Sequence, residues 1–461
     1  MVRMLKWFAV MAGVVLLLVV GVYLASRAMG PASAEQDALA LVDAVPDYQG
    51  KDGFAALYTV AHDIPEAKQG SVLAEDLQRV MALPPLPADG TGAPTWRSAL
   101  EDWPALGESR ADDPAWCSLR EPGCLERVRS TSQDYAGLLG RNAAQLERAA
   151  SLSAWDYFAY PFPPRLDAPL PAFQSLTRLT TRDAWRFANG ETDAGLAGVC
   201  AGVAQGRKLI AAGDSLIGSM IGAALVQGNA TLLAEMLAEL PRDHVLPAQC
   251  ESALTVITPL EDGVCRTMLS EARFVVGGMR TQVTAQMAGD LTAKKIPNWT
   301  ARLLFDPERT VARMAPKFAW YCGDEARELL AQDRPLLGRS SPPTRWSLQC
   351  ASNPVGCILA DIAQPAYMDY GLRLQDAEAR LRTTAALLWL REQPGVMDEA
   401  ALARLPASMQ SAARPLHLDT VAGTLATALY DQAGKRDNRH DGTWAVPLPA
   451  SRLQSAEAAS P

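Results

Sequence analysis

Two segments contain residue types that could do covalent chemistry. They are Gly213-Asp214-Ser215-Leu216 and Asp437-Asn438-Arg439-His440. A serine hydroxyl is a weak nucleophile until a neighbouring base accepts its proton, so a serine and a histidine are the residues to examine first. Local structure also explains the first segment fully, because a glycine can end one helix and Asp214 or Ser215 can cap the next.

The segment Gly213–Leu216 resembles the opening motif of the GDSL family of serine esterases and lipases. This resemblance implies Ser215 as the nucleophile, His440 as its base and Asp437 as the acid that orients the histidine. Three features depart from the family. A helical pattern continues after Leu216, no Gly-x-Asn-Asp element follows, and His440 lies in a polar, loop-like stretch. We therefore favour the capping role and keep a periplasmic esterase as the alternative function.

An aromatic segment interleaved with prolines is a candidate surface for a partner protein. Its members are Trp155, Tyr157, Phe158, Tyr160 and Phe162. Aromatic side chains give a large contact area at a low cost in conformational entropy. The alternative, which we favour, is that these rings form core between two helical subdomains.

The eight cysteines indicate disulfides, because their number is even and the apolar N-terminal segment described below predicts export. Two pairs share the spacing C-x6-C: Cys117 with Cys124, and Cys350 with Cys357. This spacing is longer than that of a zinc knuckle, and turn-forming residues lie inside both intervals. The sequence leaves three pairings open for the remaining four, which are Cys200, Cys250, Cys265 and Cys322.

An apolar run without charges extends from Trp7 to Ala25. About 20 such residues cross a bilayer core, so residues 7–25 predict a membrane-spanning anchor. Arg3 and Lys6 precede the run, which favours a cytoplasmic N-terminus, a single pass through the inner membrane and a body in the periplasm. The alternative is a signal peptide cleaved near Ala32-Ser33-Ala34, although its apolar region would normally be shorter.

Composition excludes some classes of partner. The formal net charge is -8 and no long basic block occurs, so a nucleic-acid groove is not expected. Only four histidines occur, far apart in the sequence, and we expect no metal and no cofactor.

Apolar periodicity predicts a mostly α fold. One stripe runs from Val264 to Met287 and another from Tyr367 to Leu388, with Arg373, Asp376, Arg380 and Arg382 off the second stripe. Turns at 188–191 and 227–229 predict helical hairpins, a solenoid-like middle whose turn glycines lie one repeat length apart.

Proline-rich stretches suggest domain boundaries. We predict a cytoplasmic tip and anchor (1–25), a linker (26–37), a helical subdomain with a C-x6-C loop (38–160), a connector (161–171), a helical-hairpin domain (172–344), a C-terminal helical subdomain (345–449) and a frayed tail (450–461).

Three strings, Arg302–Thr310, Asn353–Gly356 and Tyr367–Arg391, resemble a group of uncharacterised membrane-anchored helical proteins of Gram-negative bacteria. The resemblance implies an anchor and a helical body, and it implies no activity. Because helical hairpin stacks present concave surfaces, we expect a binding role toward a protein partner. An immunity-type protein and a scaffold for an envelope complex are two forms of that role.

Overall fold

The structure is a computed structural model that describes residues 2–86, 95–254, 261–293, 299–337, 347–395, 397–431, 434 and 441–448. The fold is mostly helical, as the sequence predicts. The helices before residue 190 are α1 (Val2–Ala28), α2 (Ser33–Asp43), α3 (Phe54–Thr59), α4 (Glu66–Ala82), α5 (Cys124–Ser130), α6 (Ser132–Arg141), α7 (Ala143–Ser151), α8 (Gln174–Thr177) and α9 (Leu179–Ala188).

Longer helices follow in the second half of the chain. They are α10 (Thr192–Ala212), α11 (Leu216–Glu239), α12 (Ala248–Leu254), α13 (Glu261–Gly278), α14 (Thr284–Ala293), α15 (Trp299–Leu304), α16 (Pro307–Ala319), α17 (Asp324–Ala331), α18 (Pro354–Glu392) and α19 (Glu399–Leu402). A π-helical turn, Met279–Val283, joins α13 to α14, so the predicted Val264–Met287 stripe lies on one continuous helical segment.

The end of the chain contains a small antiparallel sheet, in the order β1 (His417–Asp419), β2 (Thr424–Ala428) and β3 (Thr443–Pro447). The C-terminal subdomain, predicted as helical, therefore also contains strands. The strands alternate buried and exposed residues, and β3 and β2 pack against α11 and α18. The predicted tail, 450–461, lies outside the described residues.

One apolar core joins most of the body. It contains buried residues from Cys117 in the first predicted subdomain, from α10 and α11 in the second, and from α18 and the sheet in the third, up to Leu448. The predicted boundaries at 161–171 and near residue 345 therefore do not separate independent cores.

The predicted helix break at 227–229 is wrong, because α11 runs through it. Gly228 is required by a close approach rather than by a turn. A Cβ at this position would lie 2.8 Å from the Cα of Leu119. Asn229 is buried, accepts a hydrogen bond from Thr180 and donates one to the carbonyl oxygen of Leu225. The other predicted turn, at 188–191, separates α9 from α10.

Four disulfides brace the body, and the described cysteines include no free thiol. Cys117 bonds to Cys124 and Cys350 to Cys357, as the shared spacing predicts. The pairing that the sequence left open is Cys200 with Cys250 and Cys265 with Cys322. Such bonds suggest an oxidising compartment.

Two described helices are long and apolar enough to cross a membrane: the segment Lys6–Ala28 of α1, and α11. Since α11 is mostly buried in the protein, it is a core helix. α1 exposes its apolar side chains and is the candidate membrane span or signal.

The predicted linker at 26–37 is largely helical, because α1 continues to Ala28 and α2 begins at Ser33. Ser26 is fully buried, and its hydroxyl lies 2.8 Å from that of Ser352. The main-chain N–H of Ser352 also donates to the Ser26 hydroxyl. The end of α1 is therefore part of the packed body.

Candidate functional site

An open cleft of about 520 Å³ lies between residues 159–170, the start of α11 and one face of α13. We call it the Asp214 cleft. Gly213 ends α10 with φ at +55°, a left-handed conformation that suits glycine. This turn places Asp214 and Ser215 in the cleft wall.

The walls of the Asp214 cleft are mainly apolar. They are formed by Pro46, Tyr48, Tyr160, Phe162, Leu166, Leu170, Ile217 and Phe274, with a smaller number of polar side chains. Leu166 is 83% exposed. A concave, apolar surface with a few polar groups is the usual form of a binding site for a small ligand.

Asp214 is a polar group of the cleft whose hydrogen bonding is incomplete. Its Oδ2 accepts a 3.1 Å hydrogen bond from the main-chain N–H of Tyr160. Its Oδ1 is buried and has no hydrogen-bond partner. Burial raises the pKa of Asp214 to about 7, against the main-chain N–H groups near it, which lower the pKa. Since a buried acceptor without a partner is unfavourable, this oxygen favours a ligand that donates a hydrogen bond.

Two further titratable groups line the same cleft. Burial raises the pKa of Glu271, and a hydrogen bond with Tyr367 opposes this shift. Burial raises the pKa of Tyr48 to about 12, and the negative charge of Asp214 adds to the increase. Perturbed carboxyl groups in a cleft mark candidate functional sites.

Arg273 supplies positive charge on the α13 side of the cleft. Its Nε donates a 2.8 Å hydrogen bond to the carbonyl oxygen of Val42, at the end of α2. Burial lowers the pKa of Arg273. The guanidinium thus holds α2 against α13, while the cleft keeps Asp214 and Glu271 as its acidic groups.

Ser215 caps α11. Its hydroxyl oxygen accepts a 3.0 Å hydrogen bond from the N–H of Gly218. The helix stop at Gly213 and the cap at Ser215 are the local arrangement that the sequence favours. The other two residues implied by the esterase resemblance, Asp437 and His440, lie outside the described residues.

The aromatic segment divides between core and cleft. Phe158 and Phe162 are buried, whereas Trp155, Tyr157 and Tyr160 are half-buried. All but Tyr157 belong to one apolar cluster. The rings of Tyr160 and Phe162 lie 5.5 Å apart and both face the Asp214 cleft, so the segment is at once core and wall of a site.

A second group of polar residues is buried, which the sequence does not predict. Asp376, Arg380 and Arg382, placed off the apolar stripe of α18, are buried. Asp376 and the Arg414 guanidinium form a 2.8 Å ion pair. Periodicity along α18 alone cannot reveal this, because the partners of these charges come from elsewhere in the chain. They are Asp333, Arg414 and the main-chain N–H groups of Tyr430 and Asp431.

In the described part of the chain, no group of three or more His, Cys, Asp or Glu side chains is arranged to hold a metal ion. No protein-family model, curated protein or solved structure matches the chain.

Proposed function

We propose that this chain is a membrane-anchored binding protein of the cell envelope, whose Asp214 cleft takes an amphipathic ligand that combines an apolar body with an ammonium group. The observation that carries the proposal is the buried Oδ1 of Asp214, which has no partner in a cleft with apolar walls. A ligand N–H would satisfy this oxygen, and the rings of Tyr160 and Phe162 would cover the apolar part.

A lysine side chain of a partner protein has the same chemistry. The proposal therefore includes the two forms expected from the sequence, an immunity-type protein and a scaffold for an envelope complex. In both, the partner would insert an apolar and basic segment into the cleft.

The docked end of α1 supports an uncleaved anchor. Cleavage after Ala34 would remove Ser26, which is buried against Ser352. The four disulfides support a body in the periplasm, and Arg3 and Lys6 before the span support a cytoplasmic N-terminus.

Exposed apolar side chains near the end of α1 also support this orientation. Arg27 at the end of α1 donates to the carbonyl oxygen of Arg302 in α15, and α1 also packs on residues 348–350. α15, residues 348–350 and the adjoining α18 carry exposed apolar side chains, which are Trp299, Leu303, Leu304, Leu348, Ile358 and Ile362. Tryptophan and aliphatic residues beside a membrane span suit the interface of the bilayer.

A matched pair of probes tests the cleft. Phenethylamine and 2-phenylethanol share a carbon skeleton and differ in the ammonium group. We expect calorimetry on the full-length protein in nanodiscs to show tighter binding of the amine, with an affinity that rises as the pH increases through about 7, because Asp214 then ionises.

Asp214→Asn should remove the preference for the amine. Asp183→Asn is the matched control, because Asp183 is also buried, with a pKa raised by burial to about 6, but does not line the cleft. Equal affinities of the wild type for the two probes, or an unchanged preference in Asp214→Asn, would rule out the proposed role of the cleft.

A further inference from the structure

A second cavity, of about 270 Å³, lies further along α11, between this helix, α18 and the sheet. We call it the Arg380 cavity. Ala224 and Gln227 of α11 form one wall, and Arg373, Asp376 and Arg380 of α18 form another. The exposed side chain of Arg120 also lines it, so the cavity reaches the protein surface.

Arg380 is 7% exposed, although it is charged. Its Nε is buried and has no hydrogen-bond partner. Among the described residues, Arg380 forms no ion pair, while its neighbours Arg373 and Arg414 each pair with an aspartate. A buried guanidinium in this state is unusual, because arginine in protein interiors is normally paired and fully hydrogen-bonded.

The nearby carboxylates are already engaged. Asp376 accepts a 2.8 Å hydrogen bond from the Nη1 of Arg414 and further bonds from two main-chain N–H groups. Asp431 lies 3.3 Å from the Nε of Arg373. Neither aspartate therefore neutralises Arg380 by direct contact.

The charges around the cavity do not balance. Counted over the residues that the structure describes, three aspartates face four arginines in this cluster, which is an excess of one positive charge. The residues are Asp333, Asp376, Asp431, Arg373, Arg380, Arg382 and Arg414. Asp376 and Asp431 interact with Arg380 electrostatically without touching it, and burying an excess charge is unfavourable, so this place favours an anion.

We propose that the Arg380 cavity binds a small oxyanion, a carboxylate or phosphate group, which pairs with the guanidinium of Arg380. The planar guanidinium matches the oxygens of such groups, and Arg373 lies in the same wall. The volume of the cavity is several times the roughly 30 Å³ that one water molecule occupies in the liquid. A phosphate and its bridging waters therefore fit inside it. This site is independent of the Asp214 cleft and of the function proposed for it.

Inorganic phosphate, acetate and chloride are the probes. We expect phosphate or acetate, at matched ionic strength, to raise the thermal unfolding temperature of the full-length protein in nanodiscs above its value in chloride. Phosphate acting alone would identify a phosphate site, and acetate acting alone would identify a carboxylate site. Calorimetry then gives the affinity.

Arg380→Met should lower that affinity by roughly tenfold or more. It should keep or raise stability in chloride, because it removes an unpaired buried charge. Arg391→Met is the matched control, since Arg391 is also buried but donates to the carbonyl oxygens of Pro241 and His244. This control should bind as the wild type does.

Ala224→Leu tests the site without changing charge, because it fills the cavity from α11. It should also abolish binding while the fold persists. No stabilisation by phosphate or acetate, or equal stabilisation of Arg380→Met and the wild type, would overturn the proposal.

Discussion

The Nη1 of Arg309, in α16, donates a 2.9 Å hydrogen bond to the carbonyl oxygen of Ser26, in the last turn of α1. Its Nη2 donates to the carbonyl oxygens of Arg27 and Met29. The final carbonyls of a helix have no partner within that helix. Here the guanidinium of Arg309 donates the hydrogen bonds that a further helical turn would otherwise supply. α1 and α16 are thus joined by side-chain hydrogen bonds.

Replacing Arg309 with alanine should loosen this joint. We expect faster amide hydrogen exchange in residues 26–30 of Arg309→Ala, because the carbonyls that end α1 lose their charged donor. Arg313→Ala is the control, one turn further along α16, since its side chain reaches Gln349 and not these carbonyls. Equal exchange in the two variants would show that Arg309 does not hold the end of α1.

Asp214 should make the protein less stable as the pH rises. Its pKa is about 7 in the folded protein, against an ordinary value of 3.8. The folded state therefore binds more protons than the unfolded state between these values, and stability falls with pH across this window, by at most about 4 kcal/mol. Urea unfolding of Asp214→Asn should lack this decrease. The stability of the variant relative to the wild type should therefore increase as the pH rises to 7. Asp47→Asn, at an exposed position, should keep the wild-type slope.

Removing the charge of Asp333 should be costly. Its carboxylate pairs with Arg382 and Arg414, and it accepts a hydrogen bond from Ser411. Burial alone would raise the pKa of Asp333, but these partners, Arg414 above all, hold it below the ordinary value. We expect Asp333→Asn to lose about 3–5 kcal/mol of stability at neutral pH, because two buried arginines lose a partner.

The loss should shrink in acid, because the wild type itself loses this contribution as the pH falls through the lowered pKa. The backbone is not the cause, since φ at Asp333 is +51° and asparagine tolerates this region well. In denaturant unfolding, Asp324→Asn should change stability by about 0.5 kcal/mol or less, since Asp324 is 99% exposed. Similar losses in both variants would contradict a buried network.

The disulfides should contribute unequally. Cys200 and Cys250 are 50 residues apart, and Cys117 and Cys124 are 7 apart. Because closing a longer loop restricts the unfolded chain more, removing the first bond should cost about 4 kcal/mol and removing the second about 2.5 kcal/mol. Denaturant unfolding of the two double alanine variants measures this difference, and peptide mapping without reduction checks the connectivity.

Local signals in the sequence are sufficient to predict several features of the structure. The helix stop at Gly213 and the cap at Ser215 depend on residues within one turn, so their types predict the structure. The same holds for the C-x6-C bonds and for the long helix α18, which the apolar stripe from Tyr367 to Leu388 predicts.

Features that depend on distant contacts could not be predicted. Gly228 suggests a turn, but it is required by Leu119, which approaches α11 from far along the chain. The sequence places Arg380 off the apolar stripe of α18, and nothing near it in the sequence shows that residues 414–431 pack against this helix. In the Asp214 cleft, the residues around Ser215 predict the turn between α10 and α11. They do not predict that the neighbouring Asp214 has a buried oxygen without a partner and a raised pKa.

The apolar character of α11 has a consequence for the biosynthesis of this protein. If the body is exported as proposed, α11 must pass through the translocation channel before the core exists to receive it. Its mean hydropathy of 1.4 is well below the 2.7 of α1, and Gln227, Asn229 and Glu235 interrupt it. The buried Asn229 would then serve twice: it joins helices in the folded protein, and earlier it helps to keep the nascent segment from stopping in the lipid.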